Sequence, residues 1–154
     1  MEVPVYIRTS GKPSKAHIKL CKNAVKFFGR KLLGDTLYHR VSLKLIFENF
    51  NNNKEYAYCE WEYDNHRSKD FIITVNKDLN KKQTLLAIAH EMVHVKQYAK
   101  GELKDYLRAD KTRWKSEVHD LKKIDYWDQP WEIEAHGREK GLYYKFLKYE
   151  KENR

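Results

Sequence analysis

The stretch His90-Glu91-Met92-Val93-His94 decides how this chain is read. It has the form His-Glu-x-x-His. A helix turns once in about 3.6 residues, so His90 and His94 stand one turn apart on a common face. Two imidazoles so placed can share one divalent cation. Zinc favours nitrogen donors in closed tetrahedral sets, so Zn²⁺ is the expected cofactor. Glu91 lies beside the pair, where its carboxylate can reach a water at the ion without ligating the ion. His90 and His94 are therefore expected metal ligands, and Glu91 the expected general base.

The setting supports a helix. Leu85, Ile88, Met92 and Val95 recur at steps of three and four, a stripe within about Gln83 to Ala99. His90, Val93, His94 and Gln97 form a neighbouring stripe. One face then meets a core, with the histidines at its edge. A bare pair of surface histidines on an amphipathic helix is the competing reading.

A catalytic zinc usually takes three protein ligands and keeps one position open. The third is sought in Pro130-Trp131-Glu132-Ile133-Glu134-Ala135-His136-Gly137. Glu132, Ala135, His136 and Glu139 share a helix face by their spacing, and Ala135 is small enough to allow close approach. Glu132 is the expected ligand. His136 is its main competitor, or else orients a ligand from behind. Glu134 points away from that face and is expected to be solvated or to act at one remove. His17, His39, His66 and His119 are expected to be ordinary solvated histidines.

Working outward, Ser14 is a candidate cap for a helix over Lys15–Leu33. Ile18, Cys21, Val25, Phe28 and Leu32 fall there at helical steps, and Gly34 is the expected stop. Three strand signals follow, around Val41–Phe47, Tyr56–Tyr63 and Phe71–Val75. Turns are expected at Asn51-Asn52-Asn53 and Asp64-Asn65-His66. Short connections favour an antiparallel meander, with Phe71–Val75 at a sheet edge. Gly101 closes the motif helix. Glu102–Asp128 reads as a short helix and loop, or as a flap. Pro130 opens a last helix, from about Trp131 to Lys148. The expected class is α+β: an N-terminal helix, a three-stranded mostly antiparallel sheet, the motif helix and a glutamate-bearing helix, in one domain over 1–154.

Composition sets bounds. The chain has 154 residues, 31 basic and 22 acidic, a net charge of +9. That balance permits an anionic partner such as nucleic acid, and equally a Lys-rich solvated surface. Cys21 and Cys59 lack metal-ligand spacing and are expected to be small core residues. Two cysteines do not make a disulfide scaffold, and no segment approaches the ~20 apolar residues of a membrane span. A cytoplasmic location and no membrane partner are expected; oligomeric state is not legible.

His90–His94 followed by Glu132-Ile133-Glu134-Ala135 resembles the small gluzincin peptidases, such as the ImmA/IrrE-type and HtpX-type. Their second motif is Glu-x-x-Ala-Asp or a near variant, and His136 stands here where Asp or Asn is usual. The resemblance covers about residues 70–100 and 129–147. It implies a minimal zincin-like fold, a zinc site of His90, His94 and Glu132, and a protein or peptide substrate. Such enzymes also need a donor for the oxyanion; Tyr143, Tyr144 or a residue of Glu102–Asp128 are the candidates. A weaker similarity links His90–His94 and His136-Gly137 to SprT-type proteases, which take a third His and act on DNA-bound proteins. Two other classes stay open: a binding module on a zincin scaffold, and a zinc hydrolase of non-peptide substrates.

Overall fold

A computed structural model describes residues 3–7, 13–50, 56–61, 69–106 and 110–154. The turns expected at Asn51–Asn53 and Asp64–His66 lie outside these residues. The chain is mixed α+β, with three α-helices and two sheets among the described residues.

The first helix, α1, spans Lys15–Tyr38. Ser14 caps it, its hydroxyl accepting from the His17 amide at 3.1 Å, a contact of about 1 kcal/mol in such caps. Gly34 breaks the helical geometry at φ 77° and ψ 161°, yet a last helical turn carries on to Tyr38. Gly34 thus ends the first helical run where the sequence placed its stop, and a second, short run follows across the kink. Cys21, Val25, Phe28 and Leu32 are buried, as the spacing predicts.

The larger sheet differs from the expected meander. Strands β1 (Val5–Ile7), β2 (Ser42–Glu48), β3 (Ala57–Trp61) and β4 (Asp70–Asn76) take the order β1-β2-β4-β3. β1 runs parallel to β2, and β2 parallel to β4; β3 alone is antiparallel, against β4. The reason lies in burial. Leu43, Leu45, Ile46 and Phe47 of β2 are buried, as are Phe71, Ile73, Thr74 and Val75 of β4, so both strands have covered faces and belong inside the sheet. β3, with Glu60 exposed and its other residues half-buried, is suited to an edge. Phe71–Val75, expected at a sheet edge, is thus interior, and Ala57–Trp61 takes the edge instead.

The motif helix, α2, spans Lys81–Ala99 and opens on a capping box. Asn80 accepts from the Gln83 amide at 2.9 Å, and the Gln83 side chain accepts from the Asn80 amide at 3.2 Å. Gly101, at φ 73°, follows its last turn. α2 is the central element. Leu85, Ile88, Met92 and Val95 are fully buried in a core shared with α1, the sheet and the last helix.

The described residues of Glu102–Asp128 do not form the short α-helix expected there. They form a second, antiparallel sheet of β5 (Leu103–Tyr106), β6 (Lys111–Trp114) and β7 (Glu117–Asp120), then one 3₁₀ turn, Tyr126–Asp128. This sheet braces the start of the last helix. Trp114 and His119 pack their rings against Trp131, with centroids 6.5 and 5.7 Å away. His119 therefore sits on a strand, against an indole, rather than in a solvated loop. The last helix, α3, spans Pro130–Glu152, with Pro130 in its first turn. No described helix is long and apolar enough to cross a membrane.

Candidate metal centre

Three side chains converge where α2 meets the first turn of α3. Nε2 of His90 and Nε2 of His94 each lie 3.0 Å from Oε1 of Glu132. The ligand atoms of all three lie within 4.8 Å of one another, so the trio could hold a metal ion. Ala135 is fully buried between the helices, which lets α3 come close at this point. Glu132 is itself buried, on the helix face that its spacing from Ala135 predicts.

The remaining ring nitrogens are already committed. Nδ1 of His90 donates to Oε2 of Glu139 at 2.7 Å. Nδ1 of His94 donates to Oε1 of Gln97 at 2.7 Å. The Gln97 amide cannot be turned round without loss, because its Nε2 donates to the Trp131 carbonyl at 3.0 Å and to Glu134 Oε1 at 2.9 Å. Each neutral imidazole then carries its proton on Nδ1 and aims a lone pair from Nε2 at Glu132. Three acceptors facing one point repel unless positive charge sits among them. Protons on the imidazoles would supply it, and so would a divalent cation. The donor set, two imidazoles and one carboxylate, is one that zinc takes.

The electrostatics agree with that geometry. Burial alone would pull His90 down, but the hydrogen bonds to Glu132 and Glu139 outweigh it and push its pKa up to about 10. For His94 burial again opposes, and Glu132 with Glu91 raises it. Burial would lift Glu132, but the two histidines hold its carboxyl well below the usual carboxylate range. Glu91 behaves in the opposite way. It is buried beside the trio, and burial pushes its pKa up against the pull of both histidines. A carboxylate so placed holds its proton more tightly than an exposed one does.

Further groups surround the trio. The Tyr126 hydroxyl, on the 3₁₀ turn, donates to Oε1 of Glu132 at 3.1 Å and lies 2.9 Å from Nε2 of His136. His136 thus reaches Glu132 only through Tyr126. Its ring stands 4.5 Å from that of His90, and His90, His136 and Glu139 form a second group with metal-ligand spacing. Glu134 stays partly exposed and acts at one remove, the second of the two roles expected of it, through Gln97 behind His94. It accepts from Lys96 at 2.7 Å and from Gln97, and Lys96 also pairs with Glu102 at 2.9 Å. Tyr143 is buried in the core, and Tyr144 is exposed and does not line the cleft. His17 is half-buried, its ring 6.0 Å from that of Phe47. His39 is exposed and bonds the Asp35 carbonyl at 2.7 Å. Cys21 is fully buried, and Cys59 packs half-buried against the core.

The trio opens into a cleft of about 740 Å³. The edge strand β3 forms one wall, through Ala57, Tyr58 and Cys59, and Tyr126 and Trp127 form the other. The described residues lining it include Glu91, Glu132 and Glu139 but no Lys or Arg. Glu139 and Gln97 were within reach of the sequence, since both share a stripe with a ligand candidate. Tyr126 carried no such signal. No family model, curated protein or solved structure matches the chain.

Proposed function

We propose that this protein is a zinc metallopeptidase with a minimal zincin-like fold, of the gluzincin type. The observation that carries the reading is the convergence of His90, His94 and Glu132 beside buried Glu91, at the foot of an open strand edge. His90, His94 and Glu132 would hold the ion. A zinc ion there supplies Lewis acidity toward a water and a carbonyl oxygen. Glu91 takes the proton of the attacking water and delivers it to the leaving amine. Glu139 and Gln97 keep Nδ1 protonated and Nε2 turned inward on each ligating ring. An extended peptide adds to β3 as a further strand, held by main-chain hydrogen bonds and selected by what its side chains meet in the cleft. Tyr126, whose hydroxyl already faces the trio, is the candidate donor for the oxyanion. His136 is less suited to be the third ligand, because it groups with His90 and Glu139 but not with His94.

The test is elemental analysis of wild type, Glu132→Ala and Glu91→Gln, purified alike without chelator, together with cleavage of an unfolded fluorogenic protein. Wild type should hold stoichiometric zinc, Glu132→Ala far less, and Glu91→Gln as much as wild type without cleaving. Cleavage retained by Glu91→Gln removes the base. Zinc absent from wild type even after reloading removes the whole reading.

A further inference from the structure

Away from the cleft, α1 carries Lys15, Lys19, Lys22, Lys26 and Arg30 at steps of four, three, four and four. At about 100° per residue these positions fall within one narrow arc of the helix. They extend over about 22 Å at ~1.5 Å per residue. On α1 itself Asp35 pairs with Arg30 at 4.0 Å, between two exposed groups, and such a contact neutralises Arg30 little.

Beside this stripe runs a groove of about 910 Å³ between α1 and the last turns of α3. Lys19, Lys26, Arg30, Lys31 and Arg154 line it. Glu150 is the one acid among the described lining residues, and it accepts from Asn23 at 3.3 Å. The rings of Phe27 and Tyr149 line the same groove with centroids 5.0 Å apart, and Tyr149 is exposed. We propose that the basic stripe of α1 and this aromatic-lined groove are a docking surface for the phosphate backbone of a nucleic acid.

Charge complementarity selects the partner. A duplex carries one charge per ~1.7 Å of axis, so a stripe of this length faces many phosphates at once. Tyr149 offers a ring on which an unpaired base can stack. A lipid surface fits less well, because a membrane-lying helix needs an apolar face to insert. The apolar face of α1 (Cys21, Val25, Phe28, Leu32) is buried in the core. The surface is also separate from the acidic cleft. Glu132 and Tyr149 lie seventeen residues apart on α3, about 25 Å along its axis, and the acidic lining of the cleft repels a polyanion. This docking does not depend on the peptidase reading.

The experiment is fluorescence anisotropy of the full chain with a labelled DNA strand, single or duplex, over a series of salt concentrations. It compares wild type with Lys19→Glu/Lys26→Glu/Arg30→Glu. Lys111→Glu/Lys115→Glu/Lys123→Glu, in and after the small sheet, serves as a control of equal charge change. The α1 variant should bind at least about tenfold more weakly, with a salt slope shallower by about 2–3, while the control stays within about twofold. Tighter binding of single strands, lost further in Tyr149→Ala, adds the groove to the stripe. Equal losses in both triple variants would overturn the proposal by reducing it to net charge. So would absence of DNA binding at low salt, or phosphatidylserine vesicles or polyglutamate displacing DNA.

Discussion

Glu139 accepts a hydrogen bond from Nδ1 of His90 at 2.7 Å, across the junction of two helices. Glu139 stands two turns after Glu132 on the same face of α3, so one helix supplies both the expected ligand and the acid behind another ligand. Such a carboxylate fixes the ring's tautomer and strengthens its donor nitrogen. Glu139→Ala should therefore weaken zinc affinity by about 10–100-fold. Glu139→Gln keeps an acceptor and should lose less. Competition with a chromogenic chelator measures both, and an unchanged affinity in Glu139→Ala would remove Glu139 from the metal centre.

Gln97 does the same for His94, with more at stake for the fold. It is fully buried, and it serves His94, the Trp131 carbonyl and Glu134 together. Gln97→Met preserves volume but strands those three groups. Each polar group left unsatisfied costs about 1–3 kcal/mol when buried. Glu134 and His94 retain some solvent, so a total of about 2–4 kcal/mol is expected, read as a lower denaturant midpoint. Gln97→Glu should be no better, because it sets a carboxylate against Glu134 and the Trp131 carbonyl. A stability within about 0.5 kcal/mol of wild type in either variant would show that the network does not hold the helices together.

Gly29 governs how α1 meets the motif helix. A Cβ at this position would lie 2.6 Å from Cε1 of Tyr38 and 3.4 Å from Cε of Met92. The Tyr38 ring is buried and cannot swing into solvent, so Gly29→Ala must shift the ring or the helix. Ala is otherwise the better helix former by about 1 kcal/mol. The clash should outweigh that gain and leave the variant about 1–3 kcal/mol less stable. Pairing it with Tyr38→Leu, which removes the obstructing ring edge, should recover part of the loss. Additive losses in the double variant would place the strain elsewhere.

The candidate metal centre was more legible in the sequence than the sheets beside it. His90, Glu91 and His94 are related by one helical turn, and Glu132, Ala135 and Glu139 by another periodic face. Local geometry is enough to bring each set together. Strand order is a long-range property. Nothing local in Ala57–Trp61 shows that it passes outside β4 while β2 and β4 pair in parallel. The one available hint was composition: Phe71–Val75 is apolar but for Thr74, the mark of a strand covered on both faces. The small sheet was hidden for a different reason. Its strands are four residues each, and the β6–β7 hairpin turns at Lys115 with φ 55° rather than at an Asn-Gly or Asp-Gly pair. Tyr126 could not be placed among the site residues without that sheet, because it reaches Glu132 from the turn the sheet leads into.

Burial in the core also sets the chemistry of Cys21. It is fully buried on α1, and burial pushes its thiol up to about 12. Only the thiolate reacts with a disulfide reagent, so a shift of this size leaves about a thousandfold less of it near neutral pH than an ordinary cysteine has. The native protein should accordingly react slowly at this position and rapidly once unfolded. The same shift fixes the sign of a pH effect. The unfolded chain releases this proton at the ordinary pKa of 9.0, while the folded chain holds it to about 12. Above about pH 9 the unfolded state binds fewer protons, and stability falls by up to about 1.4 kcal/mol per pH unit. Wild type should therefore lose about 1 kcal/mol more than Cys21→Ala between mildly alkaline pH and one to two units higher, by denaturant titration of both. Parallel losses in the two proteins, or a native Cys21 labelled as fast as a free thiol, would mean that α1 opens far more readily than its packing implies.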